Sequence, residues 1–172
     1  ARAVGNMGVT LLMIFYLGLL GSFMVRIRCL IPGAGGAALV VFFILTVKFG
    51  DIGAYFCGKL FGRNKLAQWL SPAKTVEGFI GALFFSSAAA IFGKILWSQF
   101  VIDFGTFPFS VTQVIVFAIV MAFSGYLGDL VESAIKRDVS AKDSGQIIPS
   151  FGGILDMIDS PLVAAPFAWI LL

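Results

Sequence analysis

The sequence contains no histidine, and this absence excludes several kinds of chemistry at once. Histidine is the usual general base near neutral pH, the central member of Ser-His-Asp triads and a common zinc ligand. Chemistry in this chain must therefore use carboxylates, lysine, arginine, hydroxyl groups or a hard cation. The cysteines Cys29 and Cys57 lie far apart and lack metal-ligand spacing, so we expect neither a disulfide framework nor a thiolate metal site.

Charged residues are also scarce. Asp, Glu, Lys and Arg make up 12% of the 172 residues, against about a quarter in an ordinary soluble domain. Hydrophobic residues account for 59%, and the mean hydropathy is +1.01. So little polar surface cannot cover a water-soluble globule, which indicates a membrane protein. Lipid does not tolerate open sheet edges, and the alternating pattern of a closed barrel is absent. We therefore expect an all-α, polytopic transmembrane helical bundle.

Long apolar runs mark the candidate membrane crossings, since one crossing needs about 20 apolar residues. The sequence predicts five spans, at residues 4–25, 34–56, 76–97, 110–130 and 153–172. No internal repeat or low-complexity tract separates them. We therefore take residues 1–172 as a single membrane domain.

Basic residues are concentrated in two of the connecting segments, residues 57–75 and 131–152, whereas the loop 98–109 carries one aspartate as its only charge. The positive-inside rule places both basic segments in the cytoplasm. Two spans separate them, so this topology is self-consistent. Arg26 and Arg28 fall on the opposite side and argue weakly against it.

Six of the nine acidic residues lie between positions 129 and 159. Asp129 ends one span, and Asp156 and Asp159 begin the next, at a depth where carboxylates are costly unless paired or liganded. Residues three apart share a helical face, so Asp156 and Asp159 can converge on one cation, with Asp129 completing the site. Such oxygen ligands suit Mg²⁺. The alternative is that these aspartates are interfacial first-turn charges that favour a helix N-terminus.

The stretch that follows Asp129 carries charges of both signs. Residues spaced i, i+3, i+4 and i+7 share one face of a helix, and here they are Asp129, Glu132, Ser133 and Lys136. Arg137 lies beside them. Cations next to carboxylates around a metal are what a phosphate-handling site needs. A solvated helix held by i, i+4 pairs explains the same pattern.

The segment SPAKTVEGF opens the third predicted span. Ser71 or Thr75 can cap the helix, and Glu77 falls in its first turn. Lys74 is placed to reach a nucleotide phosphate. An interfacial helix start is the alternative explanation.

Glycines are frequent near the predicted helix contacts. PGAGGA matches a dinucleotide-binding spacing, but no strand or βαβ unit surrounds it, so a tight turn or close packing explains it better. Four further glycines are interpreted as packing residues: Gly18, Gly21, Gly125 and Gly128.

Residues 133–160, SAIKRDVSAKDSGQIIPSFGGILDMIDS, resemble the signature of the phosphatidate cytidylyltransferase family, the CDP-diacylglycerol synthases. The matching positions are Ser133, Lys136, Arg137, Lys142, Asp143, Pro149, Gly152, Gly153, Asp156 and Asp159. An upstream block is similar to two further family elements. It is filled by Asp51, Ala54, Tyr55, Gly58, Lys59, Gly62, Ser71, Pro72, Lys74, Thr75, Glu77 and Gly78.

The resemblance covers residues 48–172, a cytidylyltransferase-like core, and implies further N-terminal spans in a longer protein. Phe151 stands where the family commonly has His, and Met157 where it commonly has Arg. Met cannot replace an Arg that contacts phosphate. The two departures leave the acidic residues intact and put substrate detail in doubt.

The resemblance implies an enzyme of phospholipid biosynthesis that joins CTP and phosphatidate into CDP-diacylglycerol and pyrophosphate. It implies Mg²⁺, with a second cation left open, no nucleic acid, and a multi-pass protein of the inner membrane whose active site faces the cytoplasm. A homodimer is also left open.

The resemblance also implies residue roles. The Mg²⁺ ligands are Asp129, Asp156 and Asp159, and the other catalytic residues are Lys136 and Arg137. The residues that bind or orient substrate are Asp51, Lys59, Lys74, Glu77, Ser133, Lys142 and Asp143. Two alternatives remain: an intramembrane cation transporter or channel, because such acids also mark ion pathways, and an inactive divergent paralogue.

Overall fold

The computed structural model describes residues 2–67, 71–99, 107, 109–138 and 154–172. Helices dominate this part of the chain, which confirms the predicted class. They are α1 (Arg2–Met13), a π-helix (Ile14–Leu19), α2 (Leu20–Leu30), α3 (Ala34–Phe61), α4 (Val76–Gln99), α5 (Val111–Asp138) and α6 (Ile154–Leu171). The first two α-helices and the π-helix between them are continuous in sequence and form the first predicted span.

Within the described residues, four helical segments are long and apolar enough to cross a membrane. They are Thr10–Leu30, Ala34–Phe61, Val76–Gln99 and Val111–Ile135. The fifth predicted span corresponds to α6, of which the part with described side chains, Ile158–Leu171, is apolar. The chain is therefore a multi-pass membrane protein, and the number of spans approximately matches the prediction.

Two helices continue past the ends that hydropathy predicts. The predicted spans stop at residues 56 and 130, whereas α3 runs to Phe61 and α5 to Asp138. Hydropathy marks where the apolar environment ends, but a helix continues until its backbone hydrogen bonding is interrupted. For α3 this happens at Gly62, whose N–H still donates to the Gly58 carbonyl at 3.1 Å before the chain becomes extended.

A small antiparallel sheet, absent from the sequence prediction, joins α3 to α4. Strand β1 (Lys65–Ala67) pairs with β2 (Ser71–Thr75), with Lys65 opposite Thr75 and Ala67 opposite Ser71. These strands are too short for periodicity to reveal them. Of the two predicted caps, Thr75 is the one used, because its hydroxyl accepts a hydrogen bond from the Gly78 N–H at 3.1 Å.

The apolar core lies between α3, α5 and α6. Phe43, Met121 and Ala164 are completely buried, and the Phe42 and Phe117 rings stack with centroids 5.5 Å apart. The turn from α2 to α3 places Gly33 at a positive φ of 67°, a conformation that favours glycine. This confirms that PGAGGA forms a tight turn.

The hairpin and the C-terminal half of α5 lie at the same end of the bundle. Lys74 on β2 contacts Asp129 and Tyr126 on α5. At the opposite end, the Lys94 ammonium of α4 donates to the Phe109 carbonyl at 2.6 Å. The structure therefore brings the hairpin's basic residues to the end where α5 carries its acids.

Candidate functional site

Polar side chains from three elements meet at the hairpin end of the bundle, and Asp129 of α5 is their centre. One carboxylate oxygen, Oδ2, lies 3.2 Å from the Lys74 ammonium of β2. The other, Oδ1, accepts a hydrogen bond from the Ser160 hydroxyl of α6 at 2.6 Å. The Lys74 side chain is 11% exposed and that of Asp129 is 34% exposed, so water still reaches the aspartate. Asp129 thus joins the hairpin to α6.

Asp159 lies next to this junction and is buried, with 2% of its surface exposed. The Ser160 oxygen is 3.4 Å from Asp159 Oδ1, so the carboxyl groups of Asp129 and Asp159 flank one hydroxyl. A serine hydroxyl has one hydrogen to donate, and the shorter contact assigns it to Asp129. The structure therefore brings two of the three predicted metal ligands together from facing helices.

Glu132 adds a third carboxyl group, one turn after Asp129 on α5. It is 8% exposed and forms a side-chain hydrogen bond with Asp159. Two carboxyl groups held this close need a shared proton or a cation, because two bare carboxylates repel. Carboxylate and hydroxyl oxygens are the donors that hard divalent cations prefer, so the donor chemistry fits Mg²⁺.

The described side chains do not by themselves form a complete metal site. Within the described residues, no group of three Asp, Glu, His or Cys side chains is arranged to hold a metal ion. Asp156 belongs to the first turn of α6, but its side chain lies outside the described residues. The third predicted ligand therefore stays a prediction.

Asp51 approaches the same cluster from α3. Its carboxylate accepts a hydrogen bond from the Lys48 ammonium at 2.9 Å, and Lys48 lies one turn earlier on the same helix. Asp51 Oδ1 and Ser160 Cβ would each lie 3.7 Å from a Cβ atom on Gly125, so the Asp51 carboxylate is a neighbour of Ser160, and it also interacts electrostatically with Asp129. The Lys48–Asp51 pair therefore extends the polar cluster into the membrane-spanning part of α3.

Lys74 is held in place by α5 on two sides. Its ammonium donates to the Tyr126 carbonyl at 2.9 Å and lies 4.0 Å from the centre of the Tyr126 ring. Burial lowers the pKa of Lys74 below its ordinary value, and the nearby carboxylates, first among them Asp129, oppose this effect. An ammonium has three donors, and the Tyr126 carbonyl and the Asp129 carboxylate use two of them. In this structure Lys74 therefore positions Asp129, and its predicted contact with a phosphate stays a prediction.

Glycines on α5 allow α6 to come close enough for these contacts. A Cβ atom on Gly128 would lie 2.8 Å from the Ser160 Cα and 2.9 Å from the Asp159 carbonyl oxygen. A Cβ on Gly125 would meet a Val47 methyl group at 3.1 Å. These contacts confirm that both are packing glycines. For Gly18 the prediction was wrong, since nothing described lies within 4 Å of its Cβ position, and Gly21 has only an ordinary contact at 3.8 Å.

Of the predicted substrate residues, Lys59 makes its contact within α3, and Glu77 makes its contacts in the loop that precedes the hairpin. The Lys59 ammonium lies 3.4 Å from the Tyr55 hydroxyl, at the end of α3. Glu77 accepts hydrogen bonds from the backbone N–H groups of Arg63 and Asn64 at 3.1 and 3.2 Å. In this structure Glu77 therefore orders the loop that leads into β1.

The remaining predicted residues are only partly visible. Ser133 is half-buried on α5, one turn beyond Asp129. Lys136 and Arg137 belong to the last turns of α5, but their side chains lie outside the described residues, as do Lys142 and Asp143 entirely. Their roles stay predictions.

Sequence reasoning did not assign site roles to Lys48, Tyr126, Glu132 and Ser160. Glu132 and Ser160 each carried a signal, because Glu132 shares a helical face with Asp129 and Ser160 directly follows Asp159. Lys48 lies three residues before Asp51. The Tyr126 contribution is a backbone carbonyl and a ring face, which residue type does not reveal.

Comparison with known proteins adds independent information. The model of the cytidylyltransferase family matches residues 1–172. Phosphatidate cytidylyltransferase of Bacillus subtilis is 35% identical over 167 residues, covering 97% of this chain and 58% of the relative. The protein of that name from Staphylococcus saprophyticus is 40% identical over 137 residues, covering 80% and 50%. Uncharacterized protein YnbB of Escherichia coli is 39% identical over 133 residues, covering 77% and 41%. The chain thus spans about half the length of these relatives.

Proposed function

Because this chain belongs to the cytidylyltransferase family, we propose that it carries the catalytic region of a phosphatidate cytidylyltransferase. The reaction joins CTP and phosphatidate and yields CDP-diacylglycerol and pyrophosphate. The observation that carries this proposal is the meeting of Lys74, Asp129 and Asp159 at one end of a membrane bundle. Relatives of 35 and 40% identity that bear this name support it.

The chemistry suits a site without histidine. The phosphate monoester of phosphatidate carries about 1.5 to 2 negative charges near neutral pH, so it is already a nucleophile. One of its oxygens attacks the α-phosphorus of CTP, and the bond from that phosphorus to pyrophosphate breaks. No strong base is needed, but the like charges of the two substrates must be neutralised and the groups held in line.

The cluster of acids and cations supplies that environment. Under this proposal Mg²⁺ is held by Asp129, Asp159 and Asp156, and when bound it neutralises the charge on the reacting phosphates. Lys74 holds Asp129 in position through the 3.2 Å ion pair. The phosphates are bound by Lys136, Arg137 and Lys142, and the substrates are oriented by Asp51, Lys59, Glu77, Ser133 and Asp143. A second cation and a homodimer are compatible with this arrangement.

We further propose that the site faces the cytoplasm at the inner membrane. The hairpin and the end of α5 share one end of the bundle. They belong to the segments 57–75 and 131–152, which hold seven of the ten lysines and arginines outside the predicted spans and which the positive-inside rule assigns to the cytoplasm. At such a boundary a lipid head group can arrive sideways from the bilayer while CTP arrives from water. This explains why the acids lie at the end of an apolar helix.

The test is product formation by the full-length natural protein purified in detergent. The mixture contains phosphatidate, CTP labelled at the α-phosphate, and Mg²⁺, and CMP linked to lipid is measured. We expect product only in the complete mixture, and none when diacylglycerol, which lacks the nucleophilic phosphate, replaces phosphatidate. Absence of product from the complete mixture would contradict the enzyme and favour the inactive paralogue. Movement of Mg²⁺ or protons across reconstituted vesicles, without product, would favour the transporter.

A further inference from the structure

Tyr16 is a polar residue in an otherwise lipid-facing helix. It lies in the π-helix Ile14–Leu19, where its neighbours Phe15 and Leu17 are 63% and 43% exposed. Tyr16 itself is only partly exposed, and its hydroxyl oxygen is buried. A π-helix holds more residues per turn than an α-helix and redirects side chains, and such segments are frequent at functional sites. The motif positions that carry the family resemblance all lie within residues 48–172, so none of them includes Tyr16.

The first span is fixed against α6, the helix that carries Asp159. The Phe23 and Trp169 rings lie 5.7 Å apart, and the Arg26 guanidinium lies 5.2 Å from the centre of the Trp169 ring. These contacts are on the C-terminal side of Tyr16 and hold the helix beside α6. A Cβ atom on Gly21 would lie 3.8 Å from a Leu162 methyl group, so the first span and α6 run in the same direction.

Because the two helices run in the same direction, Tyr16, five residues before Gly21, lies at the level of the part of α6 that carries Asp159, three residues before Leu162. The carboxylates of Asp159, Glu132 and Asp129 all act on it electrostatically, and Asp159 does so most strongly. Among the described residues, the hydroxyl has no hydrogen-bond partner in this structure. A phenol is a hydrogen-bond donor and carboxylates are acceptors, so the two are chemically matched. Buried donors in proteins are nearly always paired.

We infer that Tyr16 is a positioning residue of the candidate site: when a divalent cation is bound, its hydroxyl donates a hydrogen bond to the Asp159 carboxylate and keeps that carboxylate oriented toward the cation. The inference rests on the proposed function, because cation binding is part of it. Groups that hydrogen-bond to metal ligands in this way commonly change metal affinity by about 10-fold to 100-fold when they are removed.

The experiment measures Mn²⁺ binding to the full-length protein in detergent by electron paramagnetic resonance, with Mn²⁺ as the probe for the Mg²⁺ site. Tyr16→Phe removes only the hydroxyl. The exchange Phe15→Tyr with Tyr16→Phe keeps the composition and moves the hydroxyl to the lipid-facing neighbour. Phe15→Tyr alone is the matched control. We expect the first two variants to bind Mn²⁺ at least about 10-fold more weakly and the control to match the natural protein.

A second readout separates positioning from packing. Thermal unfolding without a divalent cation should be the same for Tyr16→Phe and the natural protein, and high Mg²⁺ should restore the variant's product formation. Unchanged Mn²⁺ affinity in Tyr16→Phe overturns the inference while leaving the proposed function intact. Weaker binding together with a lower unfolding temperature in the absence of cation shows a packing role and also overturns it. If the natural protein binds no Mn²⁺ and forms no product, the proposed function fails and the inference fails with it.

Discussion

Asp129 is the residue on which the candidate site is built, because its two carboxylate oxygens have different partners. Lys74 is paired with Oδ2, and the Ser160 hydroxyl donates to Oδ1. The carboxylate is therefore fixed from two sides before any substrate arrives. Such fixed charge is what makes an electrostatic site effective, since no reorganisation is needed when charge develops.

The Lys74–Asp129 ion pair should contribute to stability as a pair. We expect Lys74→Met and Asp129→Asn each to lower the free energy of unfolding by about 1 to 2 kcal/mol, a value reduced for the partial exposure of Asp129. Each single variant leaves the charge of the other residue unpaired, whereas the double variant leaves neither charge. The double variant should therefore lose less stability than the sum of the two single losses. A double-mutant cycle of unfolding in detergent measures this, with Lys74→Arg as the charge-preserving control. Additive losses would show that the pair is not coupled.

Asp159 should matter for the reaction more than for folding. Asp159→Asn keeps the shape but removes the charge, so we expect product formation to fall by about 10²-fold or more. The unfolding temperature should not fall, because Asn keeps the size of Asp and its amide can donate to Glu132, which replaces the contact between two carboxyl groups. Asp103→Asn, between α4 and α5 in sequence, is the matched control and should retain activity. Full activity in Asp159→Asn would remove this residue from the site.

At the scale of elements, the site depends on how closely α5 and α6 approach. Gly128 faces the backbone of Asp159 and Ser160, so the two helices are in contact without an intervening side chain. Small residues at such contacts are typical of helix pairs in membranes. The acids of the two helices come together for the same reason.

Replacing Gly128 should separate the two helices. We expect Gly128→Ala to lower the free energy of unfolding by about 1 to 3 kcal/mol, because its Cβ would collide with backbone atoms that cannot rotate away. Product formation should also fall, since the Ser160–Asp129 hydrogen bond would lengthen. Gly18→Ala makes the same change where nothing described lies within 4 Å and should be neutral or slightly stabilising. Equal stability of the two variants in thermal unfolding would contradict this account.

The loop before the hairpin depends on Glu77. This carboxylate accepts two backbone N–H groups and the Asn64 side-chain amide at 2.9 Å. We expect Glu77→Ala to release the loop and to accelerate trypsin cleavage after Arg63 and Lys65. Gel analysis of timed digests measures the cleavage rate. Glu77→Gln keeps one side-chain oxygen as an acceptor, so its cleavage rate should lie between those of the natural protein and Glu77→Ala. Unchanged cleavage would show that other contacts hold the loop.

At the scale of the whole molecule, the two ends of the helical bundle carry different basic residues. The hairpin residues Arg63 and Lys65 are exposed at one end of the bundle, and Lys94 lies near the other. This arrangement makes the orientation of the protein in its membrane testable. Under the proposed function, the same orientation decides whether CTP can reach the candidate site.

Cysteine labelling should show the hairpin on the cytoplasmic side. In a background with Cys29→Ala and Cys57→Ala, we introduce Arg63→Cys or Gln99→Cys, both at exposed positions. A thiol reagent that cannot cross membranes should label Gln99→Cys in intact cells and Arg63→Cys only after the membrane is opened, following the positive-inside rule. The reverse pattern would place the site outside the cytoplasm and contradict its access to CTP.

Much of the architecture could be predicted because it depends on properties of single segments. Hydropathy located the spans to within a few residues at most of their ends, but it did not show that α3 and α5 continue beyond the predicted ends. The hairpin was missed, since its strands are short and are stabilised by pairing with each other. At the candidate site, position in the predicted spans pointed to Asp129 and Asp159, and the structure brings both close to Ser160. Lys48 and Tyr126 could not be predicted, because their contacts do not follow from residue type.

Composition and motif spacing by themselves indicated that the chain lies in a membrane, that it is helical and which family it resembles. They also showed which carboxylates are available for chemistry. Only the tertiary structure decided which of these groups touch. Lys74 and the Tyr126 carbonyl are 52 residues apart, and Ser160 and Asp129 are 31 apart. The reason is physical: helix formation and partition into lipid depend on neighbours along the chain, whereas an ion pair or a buried hydroxyl depends on distances between separate elements, which packing determines.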